Sequence, residues 1–587
     1  MTRSNSVLTD QPPAVSSSVS WAVPAALTVY LLLAVLLFLR SWLQPGAAWI
    51  GIEGDPKYVM WFLGWTPHSL AHHEVPFFSD YVHYPTGVNV MWNVSLLAPA
   101  AALWPVTGSL GLVTSYNVLI TLGPSLSAWC MFLAARRYVQ SALAAWCGGL
   151  LYGFSPYIVA QSLGHLHMTL AMFPPLLLLL LDEILARQHW RPWVAGLLLG
   201  AAGAAQLMTS EELLASTAVA ALVGAAIAAA VHRRDAIRNV RHTLIAGVWA
   251  VATALVLSAY PLYYQFRGPL QVRGSLQPPS LFSNDLLTFV VPSDLVQFAP
   301  LEAVHIAHTF IGNNVEESGY FGIPLLLFLL GVTIAGRRSR TVQWAGLFAA
   351  AIALLSLGPV LHSAGHILQL QTPWAALWRL PVVENILPAR LALYCYIGAA
   401  LLVAVGLELA LRSGGRVRLA VTVAALAVAF AAIFPSLPYP STSAAIPPFF
   451  LPGGEAARIP ERSVVLITPY SNASSSTAMF WQARAGYRFK MPEGEAYVPG
   501  PTLDPPPSAL QTILVGFDQG QTAMPNAELR TQALRELRSW MVSTVVVGPS
   551  PGEARDRQFF SDLLGQPPDE SGGVAVWWHP LPVRAPT

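Results

Sequence analysis

The sequence predicts an all-α polytopic membrane domain followed by a small C-terminal α/β domain. Hydrophobic residues make up 54% of the 587 residues and charged residues only 11%, whereas a soluble domain carries about 25% charged residues. The mean hydropathy is +0.51, and long apolar runs recur up to residue 435. Beyond residue 436 prolines cluster and short strand-like runs replace the long apolar ones, which predicts a change of domain.

The membrane domain begins after a polar segment, residues 1–20, whose Ser and Pro content predicts a disordered cytoplasmic N-terminus. The apolar run that follows is too long for the h-region of a signal peptide, so it is interpreted as a retained span. Single crossings of the membrane are predicted for eleven runs in all: 21–43, 112–135, 141–160, 168–186, 193–209, 213–231, 243–262, 321–336, 341–358, 389–411 and 417–435.

The orientation of these spans follows from the basic linkers, because Lys and Arg mark the cytoplasmic side of a membrane. The linkers that begin at Arg136, Arg187, Arg337 and Arg412, and the segment 232–242, all fall on one side if each run from 112 onward crosses once. A further apolar run, 94–111, is broken by two prolines and would reverse this order, so it is interpreted as re-entrant or interfacial. The N-terminus then lies on the cytoplasmic side of the cytoplasmic membrane, and the C-terminal domain lies on the outer side.

Three regions are predicted after the N-terminal segment. The transmembrane domain covers 21–435 and carries large extracytoplasmic loops at 44–93 and 263–320. The proline-rich stretch 436–454 is interpreted as a linker. Residues 455–587 are predicted to form the extracytoplasmic α/β domain, with buried strands in SVVLITPY and STVVVGP, a helix over 527–541 and a last strand in VAVWWHP.

Composition also excludes several classes of function. The net charge is +2 and no basic tail is present, which argues against nucleic acid as a partner. The three cysteines, Cys130, Cys147 and Cys395, lie inside apolar runs without the spacing of a disulfide framework or a metal site. Because the sequence shows neither a P-loop nor a Rossmann fingerprint, direct use of a soluble nucleotide substrate is disfavoured.

The strongest candidate for chemistry is the stretch GIEGDPKYVMWFLGW, residues 51–65, just after the first span. It places Glu53, Asp55 and Lys57 among glycines and a proline, which predict a shaped turn instead of a solvated face. An acid held near lipid headgroups favours a functional role for Asp55. The aromatic residues of the loop, among them Trp61 and Trp65, predict short helices at the membrane interface.

Further charged residues fall at the predicted outside ends of spans. Arg390 lies in LPARLALY, and His165 and His167 lie in SLGHLHMTL; each also fits a bland interfacial role, by snorkelling or by local hydrogen bonds. The same holds for Glu316 and Glu317, which precede a span in NNVEESGYFGIPLLL.

The turn TSEE, 209–212, is interpreted as a helix start. Its Thr and Ser are suited to cap the helix, and its two acids are favoured at the positive end of the helix dipole.

An acidic motif in the first large outer loop of a chain with about eleven spans and an outer domain resembles the GT-C superfamily of integral-membrane glycosyltransferases. Segments 313–327 and 387–394 resemble its YfhO-like branch and related bacterial members. The resemblance covers about residues 20–435. It implies a GT-C-like fold and a sugar donor linked to polyprenyl phosphate. The loop reads EGD instead of a DxD or DE pair. This leaves open which acid is the base and whether a divalent metal, Mg²⁺ or Mn²⁺, binds.

The resemblance also implies roles for the candidate residues. Asp55 is expected to act as the general base that takes the proton of the acceptor hydroxyl, with Glu53 as its neighbour. Arginine pairs phosphate oxygens with its planar fork, so Arg390 is the first candidate for the donor phosphate. Other donor-phosphate candidates are Lys57, His165 and His167, and candidates for contacts with acceptor or donor are Glu317 and Glu316.

The implied activity is transfer of a hexosyl or pentosyl group to an extracytoplasmic cell-wall polymer, glycolipid or protein, in a site surrounded by membrane lipids. The first alternative is a multi-pass transporter or lipid flippase, but such proteins place charges near the middle of the membrane and often contain inverted repeats. No repeat is visible here, and the acids gather on one face. A non-catalytic assembly protein is the second alternative, and in it Asp55 would be dispensable.

Overall fold

The structure is a computed structural model that describes residues 21–231, 233–278, 280–500 and 503–580. The predicted disordered segment 1–20 therefore lies outside the described residues. The chain forms two compact units. The first unit contains the described residues up to Leu43 together with Asn117–Ala259 and Gly274–Ser441. The second unit contains Gln44–Tyr116, Tyr260–Arg273 and the residues from Thr442 onward.

The helices, in chain order, are α1 (Ala22–Leu37), α2 (Leu39–Trp42), α3 (Asp55–Ala71), α4 (Leu97–Ala102), α5 (Trp104–Leu110), α6 (Leu112–Ala135), α7 (Ala142–Gly153), α8 (Pro156–Gln161), α9 (Leu166–Thr169), α10 (Phe173–Asp182), α11 (Pro192–Leu207), α12 (Glu211–Val231), α13 (Arg233–Arg267), α14 (Leu301–Ala307), α15 (Ile323–Ala335), α16 (Arg340–Ser356), α17 (Ala392–Arg412), α18 (Arg416–Ala432), α19 (Thr477–Arg484), α20 (Ala509–Asp518), α21 (Ala527–Ser539) and α22 (Glu553–Leu564). The strands are β1 (Ala48–Ile50), β2 (Phe78–Ser79), β3 (Val88–Asn89), β4 (Val360–Ser363), β5 (His366–Gln371), β6 (Ser441–Ser443), β7 (Val464–Thr468), β8 (Val542–Val547), β9 (Asp569–Ser571) and β10 (Val574–Trp578).

Among the described residues, five helical segments are long and apolar enough to cross a membrane: Leu112–Ala135, Leu166–Arg187, Glu211–Val231, Val240–Arg267 and Pro388–Arg412. Large apolar side chains on two of them are exposed, such as Leu222 on α12 and Val256 on α13, at 72% and 78%. Such surfaces suit lipid, and the chain is a membrane protein.

The predicted number of eleven spans stays a prediction. Several of the other predicted spans correspond to apolar helices of 10–17 residues, including α1, α7 and α11. The proline-broken run 94–111 forms two short helices, α4 and α5, of 6 and 7 residues. Neither is long enough to span a bilayer by itself, since a span needs about 20 residues.

Helix α17 is the centre of the first unit, and nearly every residue along it is buried. It packs against α7, α15, α16 and α18. Small residues permit the close approach: a Cβ on Gly148 of α7 would lie 2.6 Å from the carbonyl oxygen of Ala400, and one on Gly398 would lie 2.5 Å from that of Ala345. Without a hydrophobic force between helices in lipid, such backbone contact is a main source of helix association.

A second small-residue contact joins α11 to α13. Gly196 and Gly200 form a G-x-x-x-G motif on α11, and a Cβ on either would lie 2.3 Å from a carbonyl oxygen of α13, of Ala246 or Ala250. Any larger residue at these two positions would force the helices apart, so the motif sets the distance between them.

The second unit is built on a four-stranded sheet with the order β7-β8-β10-β9. Strands β7 and β8 are parallel, with Leu466 opposite Val545, while β10 is antiparallel to both of its neighbours. Apolar side chains of the sheet pack with α20, α21 and α22, whose contributions include Leu514, Leu537 and Phe559. The two strands, the helix and the last strand that the sequence predicts here are present, whereas the boundary at residue 455 stays a prediction.

The first loop after α2 belongs to the second unit, and this corrects the interfacial interpretation of its aromatic residues. Helix α3 packs on α19. Trp61 and Trp65 are 0% and 1% exposed, and their rings stack with centroids 5.6 Å apart. The indole N–H of Trp61 donates to Gln482 Oε1 at 2.7 Å. These rings are core residues of a folded unit and are not exposed to headgroups.

A buried acid on the sheet predicts how the stability of this unit depends on pH. The Glu493 carboxylate is 1% exposed and accepts the N–H of Ile467 at 2.9 Å. Burial raises its pKa from 4.5 to about 8. An unfolded chain loses this proton above pH 4.5 while the folded protein keeps it up to about pH 8, so the free energy of unfolding falls as the pH rises through that window.

Glu493→Gln cannot ionise and is therefore expected to raise the melting temperature at pH 9 while leaving it nearly unchanged at pH 5. Thermal unfolding at one scan rate, followed by intrinsic fluorescence, measures both values. Glu461→Gln is the matched control, because the side chain of Glu461 is 76% exposed. Equal melting temperatures of the Glu493 variant and the wild type at pH 9 would contradict the expectation.

Candidate active site

Asp55 is the first residue of α3 and its side chain is exposed. The residue before it, Gly54, has φ +97°, and a Cβ at this position would have nothing within 4 Å, so glycine is needed there for backbone conformation alone. Pro56 in the first turn suits a helix start. A carboxylate at this place is stabilised by the helix dipole. The local sequence thus fixes where Asp55 stands and leaves it accessible.

Lys57 and Glu53 form an ion pair beside Asp55. Lys57 Nζ lies 2.7 Å from Glu53 Oε2 and donates to Thr477 Oγ1 at 3.1 Å. It also lies 5.8 Å from the ring centroid of Trp49, within cation–π range. The Glu53 side chain is 63% exposed and that of Lys57 only 16%. The ammonium of Lys57 is therefore held in place by an anion, a hydroxyl and a ring.

A further acid, Glu495, interacts electrostatically with Asp55. The sequence analysis does not identify it. Burial raises the pKa of Glu495 to about 7; the hydroxyl of Ser476, which donates to it, lowers the pKa, and the charge of Asp55 raises it. Asp55 and Glu495 are thus close enough to interact. An exposed carboxylate beside a carboxyl group that titrates near neutrality is an arrangement that can accept and pass on a proton.

In the first unit, Arg390 is buried at the turn that precedes α17 and pairs with two acids. Its Nε donates to Glu316 Oε2 at 2.8 Å, and its Nη2 pairs with the other oxygen of the same carboxylate. Its Nη1 pairs with Glu212. The contact with Glu316 is the two-pronged geometry that makes Arg–carboxylate pairs strong.

The two acids are themselves held by further groups. Burial raises the pKa of Glu316, but the charges of Arg390 and His165 and the hydrogen bonds from Arg390 and Gln161 together lower that pKa to about 2. His165 Nδ1 lies 3.6 Å from Glu316 and 2.7 Å from Gln161 Oε1. Glu212 accepts the N–H of Leu387 at 3.1 Å. We refer to Arg390, Glu212, Glu316, His165 and Gln161 as the arginine network.

Glu212 has a role that its local sequence pattern does not predict. The hydroxyl of Ser210 accepts the N–H of Leu213 at 3.2 Å, so the predicted helix cap in TSEE is confirmed. Glu212 does more than favour a helix end, since it neutralises a buried arginine far along the chain. No local signal identifies that partner.

Glu317 points away from its neighbour Glu316. It accepts the N–H of Gly312 at 2.7 Å and that of Asp285 at 3.4 Å, and burial raises its pKa to about 7. It lines a cavity of about 20 Å³, which has room for one water and not for a sugar. His167 lies in α9, and its ring centroid is 6.2 Å from that of His165.

The predicted site residues therefore divide between the two units. Asp55, Glu53 and Lys57 are neighbours in the second unit, and Arg390, Glu316 and His165 meet in the first. Within the described parts of the chain, no group of three or more His, Cys, Asp and Glu side chains is placed to hold a metal ion.

No family model matches the sequence, and no curated protein matches it. Solved structures do match. A structure of the arabinofuranosyltransferase AftD from Mycobacteria has a TM-score of 0.52 and 18% identity, and the match covers 92% of this chain and 37% of that one. The oligosaccharyltransferase of Archaeoglobus fulgidus in its apo form gives a TM-score of 0.46 and 15% identity over 91% and 70% of the two chains.

The same archaeal enzyme, AglB, in complex with an inhibitory peptide and a dolichol-phosphate, gives a TM-score of 0.45 and 14% identity over 94% and 72%. Of these three structures, the arabinofuranosyltransferase has a TM-score above 0.5. This chain spans little more than a third of that protein, and the likeness concerns fold alone. The chain has a fold like that of this arabinofuranosyltransferase structure, in agreement with the GT-C-like fold that the sequence resemblance implies.

Proposed function

We propose that the protein is a membrane glycosyltransferase that moves one sugar from a polyprenyl-phosphate donor to an acceptor outside the cytoplasmic membrane. The observation that carries the proposal is the position of Asp55, exposed at the first turn of α3 in the loop after the first predicted span. In a chain with a GT-C fold, an accessible carboxylate on a fixed helix end is suited to act as the base.

The proposed reaction needs a base more than any other group. The acceptor hydroxyl attacks the anomeric carbon, a new C–O bond forms there, and the bond from that carbon to the phosphate oxygen breaks. The proton of the hydroxyl passes to Asp55, and the electron pair of the broken bond leaves with polyprenyl phosphate. A phosphate is a good leaving group, whereas a neutral hydroxyl is a weak nucleophile until a positioned base takes its proton.

The other assignments are proposals of the same kind. Glu53 holds Lys57 beside Asp55, and Glu495 is suited to receive the proton onward. The residues proposed to bind the donor phosphate are Arg390, Lys57, His165 and His167. The residues proposed to contact the acceptor or the donor are Glu316 and Glu317. For Arg390 and for Lys57 a phosphate would have to share or displace a carboxylate, because the guanidinium is already paired twice and the ammonium once.

Turnover of lipid-linked sugars tests the proposal. Purified protein in nanodiscs is incubated with polyprenyl-phosphate pentoses and hexoses, and mass spectrometry follows the release of polyprenyl phosphate. The name of the arabinofuranosyltransferase puts arabinofuranose first among the donors, and the acceptors are glycans, glycolipids and a peptide.

We expect one donor to be consumed and its sugar to appear on one acceptor. Movement of an intact lipid-linked sugar between leaflets of a proteoliposome, without cleavage of any donor, would instead identify a flippase and overturn the proposal.

A further inference from the structure

The second unit contains a cavity of about 700 Å³ that the site described above does not use. It lies where the two parallel strands of the sheet end: Pro469 and Tyr470 follow β7, and Pro549 and Ser550 follow β8, and all four line it. In open α/β sheets, ligands bind outside the carboxyl ends of the strands. The volume is in the range of small-molecule binding sites.

Two buried polar atoms in the cavity lining have no hydrogen-bond partner among the residues that the structure describes. Trp481 is 3% exposed, and its indole N–H is unpaired within that part of the chain. The same holds for the hydroxyl of Ser550. Both residues line the cavity. Both atoms are closed off from solvent although the cavity is open, so a ligand in the cavity would meet the accessible polar side chains of the lining instead.

The chemistry of the lining favours a neutral ligand with many hydroxyl groups. Short polar side chains surround the space, including Asn472, Ser474, Ser475 and Gln519. The two charged lining residues already have partners: Lys57 pairs with Glu53, and Asp518 accepts the N–H of Gly552 at 3.0 Å. Five prolines add flat C–H surfaces and carbonyl oxygens. A phosphate or a charged peptide would find no unpaired counter-charge among the described lining residues.

We propose that this cavity binds the acceptor and that the acceptor is a neutral glycan. Naming the ligand as the acceptor rests on the proposed function. Glycan binding at the cavity can be measured without any sugar transfer. Lys57 connects the two sites, because it lines the cavity and is two residues beyond Asp55 at the start of α3. A sugar hydroxyl at that wall of the cavity would face the loop that carries the proposed base.

Binding of labelled neutral oligosaccharides to the full-length protein in nanodiscs tests this inference. Fluorescent arabinan, galactan, mannan and glucan fragments are used as probes, with a sulfated oligosaccharide and a peptide for comparison. Ser474→Trp fills the cavity from an exposed position and is expected to weaken binding at least about tenfold, by steric exclusion.

Ser539→Trp is the matched control, since Ser539 is exposed at the end of α21 in the same unit and is absent from the described cavity lining. It should bind the probes as the wild type does. If no neutral oligosaccharide binds the wild type, or if Ser474→Trp binds like the control, the inference is overturned. If the peptide binds the wild type and Ser474→Trp weakens that binding, the acceptor is a peptide and the glycan assignment is wrong.

The failure of the inference and that of the proposed function give different results. Glycan binding that Ser474→Trp abolishes, without consumption of any donor, would support the cavity and count against glycosyl transfer. Donor consumption with a lipid or peptide acceptor, without glycan binding, would support transfer and overturn the cavity assignment.

Discussion

Replacement of Asp55 by Asn is expected to reduce sugar transfer by about a hundredfold or more, because a positioned general base contributes about 10² to 10⁴ to the rate. Asn keeps the size and hydrogen-bonding shape of Asp and is accepted at a helix start, so α3 should form as before. Only the ability to take a proton is lost. The affinity for the donor is expected to stay near that of the wild type.

The measurement is release of polyprenyl phosphate by the wild type and the variant, at several donor concentrations, so that kcat and KM separate. Glu53→Gln is the matched control: Glu53 is a neighbouring exposed acid whose observed role is to pair with Lys57. A loss of less than about tenfold is expected there, since an exposed ion pair is weak. Equal turnover by Asp55→Asn and the wild type would assign Asp55 a structural role and move the search to Glu495.

The sequence predicts much of the fold because its strongest signals are local. Membrane-spanning helices follow from apolar length, and short buried strands follow from valine-rich runs such as the one that ends at Thr468. The prediction that the aromatic rings of loop 44–93 face the headgroups is wrong for an equally local reason. Rings such as Trp61 and Trp65 are found both at the headgroup level and in a protein core, and only the packing of α3 on α19 decides between the two.

The candidate site is less predictable because its partners are distant in sequence. Asp55 can be found from its turn, since glycine, acid and proline stand together there. Glu495 comes from a segment near the other end of the chain, and nothing around it in PEGEAY indicates that it interacts with Asp55. Likewise Arg390 is recognisable as a charge at a span end, whereas its double pairing with Glu212 and Glu316 is a property of the folded chain.

The arginine network leads to the second large effect, which concerns stability. Arg390 is 9% exposed and Glu316 3%, so Arg390→Met leaves a buried carboxylate without its cation. Breaking such a pair costs about 3–5 kcal/mol, and a marked fall in melting temperature is expected for the purified protein. Neutralising the acids as well, in Arg390→Met with Glu212→Gln and Glu316→Gln, removes the uncompensated charge and should restore most of the loss.

Arg412→Met is the control for the removal of a paired arginine, because Arg412 pairs with Glu408 at the other end of α17 and is more exposed. Its melting temperature should change much less. If Arg390→Met melts like the wild type, the ion pairs do not stabilise the fold. If the triple variant melts as low as the single one, the packing of the guanidinium stem matters more than its charge.

The restored triple variant also separates the structural role of Arg390 from the predicted role in binding the donor phosphate. A folded protein without this guanidinium has lost the fork that pairs two phosphate oxygens. If Arg390 binds the donor, KM for the polyprenyl-phosphate sugar should rise at least about tenfold in a protein that melts normally, which is the value of one charge-assisted hydrogen bond. If KM and kcat are unchanged, Arg390 serves to neutralise Glu212 and Glu316 at the start of α17, and the phosphate is held by Lys57 or the histidines.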